Sequence, residues 1–241
     1  MIQNPQAERT IAFQELAIAV TAKNFNPTML SVEFLKASGI IPSDWETAKP
    51  PVINSRNAQL NFKNGVSIVA QPQTVIFAEA VALQNPQARV PAVARQYVDK
   101  LPHASYQAVS IAPKSIVTVG SETDAAKSYI TSTLLSPGPW RDYGNLAQAS
   151  ITLLYHLEQC QLSLNVNEIK IKTGNDKPTV PAVLFAGSFN YSLAKYPETE
   201  RLTQIQQRIE SWATDLKAFQ DLIKQKFLGE AESVFPSEMM S

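Results

Sequence analysis

Seven apolar residues near the C-terminus, Leu202, Ile205, Ile209, Trp212, Leu216, Phe219 and Ile223, follow one another at spacings of 3, 4, 3, 4, 3 and 4. A repeat of 3.5 residues puts all seven on one stripe of an α-helix. The pattern predicts a helix over 198–228, about 45 Å long at a rise of 1.5 Å per residue. The stripe fails at Lys226, where the next apolar residue is due, and Gly229 follows as a stop. Such a stripe must be buried, either on the chain's own sheet or on a second copy. Trp212 and Phe219 suit a broad sheet surface better than a tight two-stranded seam, so the internal reading is favoured and self-association is the rival.

The rest of the chain supplies a sheet. Ala58, Leu60 and Phe62 alternate with polar neighbours, Asn64-Gly65 turns, and Val66, Ile68 and Ala70 alternate on the way back. Pro72-Gln73 turns again into a strand over 74–79. A second meander reads Ala149, Ile151, Leu153, Tyr155, Leu157, then Leu162, Leu164, Val166, and last Val183, Phe185, Gly187, Phe189, Tyr191, Leu193. The middle strand slips parity to Ile169 and Ile171, which predicts a β-bulge near Asn167. The turn Gly174-Asn175-Asp176 follows.

Two shorter strands stand ahead of these units. Leu16 to Val20 is the first, and Tyr106 to Ile111 the second, broken at Pro113 and resumed over 116–119. Helices are expected from Asn26-Pro27 to Gly39, within 85–102, and after Ser121-x-x-Asp124, where Ala126, Ile130 and Leu134 share a face. Trp45 is expected to pin the proline-rich stretch 40–55 to the core. The fold class is therefore α+β: two antiparallel β-meanders, each followed by a helix, with a long C-terminal amphipathic helix packed on the sheet. This is one domain over 1–241, or two subdomains, 9–120 and 145–229, joined by a helix and a Pro/Gly-rich loop. Val-Pro-Ala-Val occurs at 90–93 and at 180–183, once in an expected helix and once in a strand, and is read as coincidence.

Lys plus Arg equals Asp plus Glu at 21 each, so no global field gathers phosphate polymers, and nucleic acid is not an expected partner. No apolar run approaches the roughly 20 residues that span a bilayer, and no membrane partner is expected. Residues 1–6 carry neither a basic nor an apolar leader segment, and Cys160 is the only cysteine. A cytoplasmic protein is expected.

Chemistry-bearing patterns are few. Cys160, His156 and His103 are the only soft or borderline metal donors, and two of them four residues apart do not close a site. A Cys160–His pair for nucleophilic catalysis finds no local support, since Glu158 raises a thiol pKa and no Lys or Arg is near in sequence. No Gly-x-Ser-x-Gly elbow occurs, and the eight glycines stand singly, so neither phosphate-cradling motif is present. Asp215 and Asp221 are read as solvated residues on the outer side of the long helix. No catalytic residue, metal ligand or cofactor is assigned. The segment 136–144 carries Trp140, Arg141 and Tyr143, residue types enriched at interaction hot spots, on a proline-stiffened connection. These three form the candidate interaction loop; the rival reading has Trp140 and Tyr143 clamping the loop to the body, with Arg141 stacked on a ring.

Asn26-Pro27, Phe34-Leu35, 38–42 (Ser-Gly-Ile-Ile-Pro) and Asp44-Trp45 resemble a signature of uncharacterised, mainly cyanobacterial proteins. Asn64-Gly65-Val66-Ser67-Ile68 and Leu101-Pro102 with Tyr106 to Val109 fit the same resemblance. It implies a bacterial protein and assigns no activity or site residue. The expected function is a non-catalytic protein-interaction or assembly role, with a protein partner or homo-oligomer. The alternative is an enzyme or small-molecule binder whose site is built from dispersed residues.

Overall fold

Two strands of equal length, β1 (Thr10–Lys23) and β6 (Ser105–Thr118), lie antiparallel in the middle of the sheet, running from Thr10 opposite Thr118 to Lys23 opposite Ser105. The computed structural model describes residues 9–23, 25–84, 86–144, 146–172 and 179–229. After β1 come α1 (Val32–Ala37), a two-residue strand β2 (Val52–Ile53), then β3 (Ala58–Asn61), β4 (Ser67–Gln71), β5 (Thr74–Ala80) and α2 (Val90–Lys100). After β6 come α3 (Ala125–Ser128), β7 (Ser150–His156), β8 (Gln161–Lys172), β9 (Thr179–Ser192), α4 (Glu198–Glu210) and α5 (Trp212–Asp221). The strands form one nine-stranded sheet in the order β2-β3-β4-β5-β1-β6-β9-β8-β7, antiparallel at every pairing.

The protein is α+β, but a pair of meanders is not its architecture. Each long strand is followed by a short helix, strands that fold back to its side (β2 to β5 after β1, β7 to β9 after β6), and a covering helix. The two halves meet through β1 and β6, so the centre of the sheet joins segments far apart in sequence. The sequence pattern shows the three-strand units but hides the long strands. Apolar side chains on β6 continue through Pro113, and the strand is not broken there. Pro113 faces Leu16 in a β1 ladder that is continuous from Phe13/Ile116 to Thr21/Ala108, while the β6–β9 ladder skips from Ile111/Phe189 to Lys114/Ala186. The proline's missing N–H therefore costs pairing on one side only.

One face of the sheet is the core. Leu60, Ile68, Phe77, Ile18, Ile111, Phe189 and Leu162 are successive cross-strand partners, and all seven are buried. The helices pack on this face. Tyr97 of α2 meets Phe77 edge-on at 5.4 Å, and Phe219 of α5 lies over Gly187. The heptad stripe is internal: Ile205, Ile209, Leu216, Phe219 and Ile223 are buried, and Leu202 and Trp212 pack against the same core. The long helix is not continuous. It breaks at Ser211, whose hydroxyl turns back to the Arg208 carbonyl at 3.1 Å, and its last turn, Leu222–Phe227, is π-helical. A π turn inserts one extra residue, which brings Phe227 inward where Lys226 was due, and Phe227 stacks edge-on against Phe185 at 5.3 Å.

Local readings meet mixed outcomes. Asn26 caps only a 3₁₀ turn (Pro27–Met29), and α1 starts later, capped by Ser31 Oγ accepting from the Phe34 amide at 3.1 Å. Asp124 makes no side-chain cap at α3. Gly65 takes φ +89° in the β3–β4 turn, and Trp45 meets Phe62 at 5.2 Å. The bulge near Asn167 does not form, because β8 pairs β9 without a register shift from Gln161/Asn190 to Lys172/Thr179. Beyond Val166 the apolar residues simply change face. There the helix side holds Glu168 and Lys170 in a cleft with Asp124 and Lys127 at the start of α3, so polar side chains belong on that side. The turn at 174–176 lies outside the described residues, as do residues 1–8 and 230–241.

A buried carboxylate ties α2 to the sheet. Glu79 on β5 is 4 % exposed and accepts from the backbone amides of Arg89 and Val90, the latter at 2.7 Å. These are the unpaired donors at the start of α2, so the carboxylate serves as a cap supplied from another element.

Candidate binding surface at the free edge of β7

A sheet of nine strands has two edges, and this chain treats them differently. On one side β2 is two residues long and follows Pro50-Pro51. Short length and adjacent prolines are the usual means of blunting an edge. On the other side β7 runs for seven residues, Ser150–His156, and pairs β8 with no register shift. Its outer edge has no partner strand among the described residues. No Asp, Glu, Lys or Arg occurs from Tyr143 through Leu157, so none of the charges that discourage strand addition is present. Ile151, Leu153 and Tyr155 point to the core side and are half-buried. Thr152 and Leu154 point to the helix-free side and are exposed, Leu154 by 54 %. Thr152 Oγ1 donates to Asn165 Oδ1 at 2.8 Å, which holds β7 against β8.

On the helix-free face the central strands carry Ala17, Ala19, Ala78, Ala112 and Ala186 among larger residues such as Ile76 and Leu184, with the Glu15–Lys114 pair at 2.6 Å set among them, while Ser163 and Asn165 of β8 stand next to β7.

The candidate interaction loop leads into β7 by sequence, and its three residues part company. Trp140 sits in a 3₁₀ turn (Pro139–Asp142), 43 % exposed, with its ring so close to Gly138 that a Cβ there would lie 2.9 Å away. The Arg141 guanidinium stacks over the Trp140 ring at 5.3 Å and donates to the Thr131 carbonyl, so it ties the loop to the turn after α3. Among the described residues its buried Nε has no hydrogen-bond partner. Tyr143 is 96 % exposed. The stacked arginine ties the loop to the body, whereas Trp140 meets Gly138 and Arg141 of its own loop and Tyr143 projects into solvent.

The polar groups that could carry chemistry are gathered elsewhere, in a clamp between β9 and α5. Asp215 is buried and not solvated as its sequence context suggests, and Tyr191 Oη donates to its carboxylate, 2.8 and 2.9 Å from the two oxygens. Asp215 stands one turn from both Trp212 and Phe219, on the flank of the apolar stripe, and α5 presents it to the sheet. Burial pushes the Asp215 carboxyl above its usual range, opposed by the Tyr191 hydrogen bond and the Arg208 charge. Burial and the bond to Asp215 push the Tyr191 phenol far up, so it stays a donor. Arg208 lies over the Tyr191 ring at 4.9 Å. Asp221 pairs with Lys217 at 2.6 Å on the outer side.

Cys160 borders this clamp. Burial pushes its thiol up, and Asp215 adds to the rise, against the lowering effects of Tyr191 and Arg208. A thiol held protonated is a poor nucleophile. Cys160 and His156 line one open cleft of about 560 Å³, but no hydrogen bond joins them among the described residues. His103 lies in a different cavity. Among the described residues no three His, Cys, Asp or Glu side chains gather as a metal site requires, and no helix is long and apolar enough to cross a membrane. The chain matches no protein-family model and no curated protein.

Proposed function

We infer that this chain is a non-catalytic assembly protein that pairs with a second copy of itself through the free edge of β7. The observation that carries this reading is the contrast between the two sheet edges, one blunted by prolines and the other left long, unbroken and uncharged. An unpaired edge of that kind is an aggregation hazard unless a partner strand covers it.

A strand without charge is compatible with its own copy. With a two-fold axis beside Leu153, antiparallel pairing sets Ile151 opposite Tyr155 of the second copy, Thr152 opposite Leu154, and Ser150 opposite His156. No like charges meet, and the apolar residues extend one another across the junction. Seven residues are a small contact, so the dimer is expected in the micromolar range. The candidate chemical groups support a structural role, since Arg208 of α4 and Asp215 of α5 are spent on holding the two helices to Tyr191 of β9.

Sedimentation of the wild-type chain across a concentration series tests this. A reversible dimer is expected. Thr152→Lys/Leu154→Lys and Thr152→Glu/Leu154→Glu are each expected to be folded monomers, because like charges then face each other across the axis. Mixed together, the two variants should restore the dimer as a heterodimer. A monomeric wild type at tens of micromolar and above, or variants that still dimerise singly, would overturn the reading.

A further inference from the structure

A cavity of about 410 Å³ opens where the end of β1, the end of α2 and the start of β6 come together, well away from the β7 edge. Its apolar wall is built from Phe25, Phe34, Tyr97 and Leu101, with Met29 exposed at the mouth. Phe25 is gripped edge-on by Tyr97 at 5.9 Å and by Tyr106 at 6.3 Å. Tyr106 is fixed in turn by its hydroxyl, which donates to the Leu101 carbonyl at 2.9 Å. The wall is thus held in place before any ligand arrives, which lowers the cost of binding.

The charged side chains lining this cavity have one sign: Lys23 and Lys100 line it, beside His103, and no Asp or Glu does. Among the described residues neither lysine has a carboxylate within ion-pair distance. The carboxylates near the border are engaged: Glu198 accepts from Ser105 Oγ at 2.8 Å, and Asp99 is held by Arg95 at 3.2 Å and Gln206 at 2.6 Å. Two free ammonium groups beside a preformed aromatic pocket lack the partner that would neutralise them.

We propose that this cavity binds a small amphipathic organic anion: an aliphatic or aromatic body seated on Phe25, Phe34 and Tyr97, with a carboxylate or phosphate group between Lys23 and Lys100. The volume falls in the range of ordinary ligand pockets, and the division into an apolar wall and a few convergent cations is what orients such a ligand. The site needs residues from β1, the α1 approach, α2 and the turn into β6, so it is a property of the fold and not of any motif.

Calorimetric titration of the full chain with decanoate, decanol and decylammonium, all kept below micelle formation, tests the proposal. Decanoate is expected to bind saturably with one site per chain, about tenfold or more tighter than decanol, and decylammonium weakest of the three. Lys23→Glu/Lys100→Glu, with both substitutions on exposed side chains, is expected to keep its thermal midpoint and to reverse the order, favouring decylammonium. Phe25→Ala should weaken all three probes together. Equal affinity for the three probes, absence of saturable decanoate binding, or a charge reversal that leaves the order unchanged would each overturn the assignment.

Discussion

Gly187→Ala adds one methyl group at the point where the long helix rests on the sheet. Gly187 pairs Leu164 within the ladder, and Phe219 is fully buried above it. A Cβ on residue 187 would lie 2.8 Å from Phe219 Cδ2 and 2.9 Å from Cε2. Carbon atoms prefer a separation of about 3.5–4.0 Å, so the ring would have to retreat by roughly 0.7 Å or more. The ring has little room to do so, because Phe219 is part of a core that also holds Ile205, Leu216 and Ile223. Overpacking of this kind costs about 1–3 kcal/mol, and the smaller conformational freedom of alanine in the unfolded chain returns about 0.5–1 kcal/mol. A net loss of about 1–2 kcal/mol is expected. With a urea slope of about 2–3 kcal/mol per molar, the unfolding midpoint should fall by about 0.5 M. Equilibrium urea unfolding followed by tryptophan fluorescence measures it.

Phe219→Leu in the same background is the control. It removes the ring edge that the methyl group strikes, so the double variant should be less destabilised than the sum of the singles by about 1 kcal/mol. A Gly187→Ala protein as stable as wild type, or strictly additive effects, would refute the packing argument.

Glu79→Ala should cost about 3 kcal/mol, since it strips the cap from the Arg89 and Val90 amides at a site sealed from water. Glu79→Gln, which keeps one acceptor, should cost visibly less in the same denaturation assay. Asp215 titrates in the opposite sense to most paired carboxylates. Its folded pKa is raised above the ordinary 3.8, so the folded state holds the proton more tightly than the unfolded one. Its contribution is complete below that ordinary value and is lost as pH rises through the folded pKa. Relative to Asp215→Asn, wild type should therefore gain stability as pH falls from 7 toward 4. A difference between the two that does not change over this range would contradict the burial argument.

Periodicity made much of the fold legible. Five of the seven stripe residues from Leu202 to Ile223 are buried and the other two pack on the same core, and Leu60, Ile68, Val183 and Phe189 face the core as their alternation requires. What stayed hidden depends on partners distant in the chain. Pro113 reads as a break because a proline usually ends pairing, and only the neighbours show that β1 can carry the strand past it. Asp215 reads as solvated because an aspartate beside an apolar stripe is ordinarily exposed, and the hydroxyl that receives it, Tyr191, belongs to a strand 24 residues away. The edge status of β7 is not a property of its own residues at all. The lack of charge from Tyr143 to Leu157 was readable, but its meaning needed the strand order. The cavity lies further still from sequence reading, since it joins Lys23 and Phe34 to Lys100 and His103.

The pairing of β1 with β6 also sets a timetable for biosynthesis. About 95 residues separate the end of β1 from the end of β6, which at about 5–20 residues per second leaves β1 without its second neighbour for roughly 5–20 s of translation. During that interval the N-terminal half can fold β3, β4 and β5 against β1, yet it presents a fourteen-residue strand as a bare flank. The nascent chain is thus most exposed to misassembly midway through its own synthesis. A ribosome pausing between the two halves would lengthen that window, and a chaperone acting on this protein would be needed there, before residue 118 emerges.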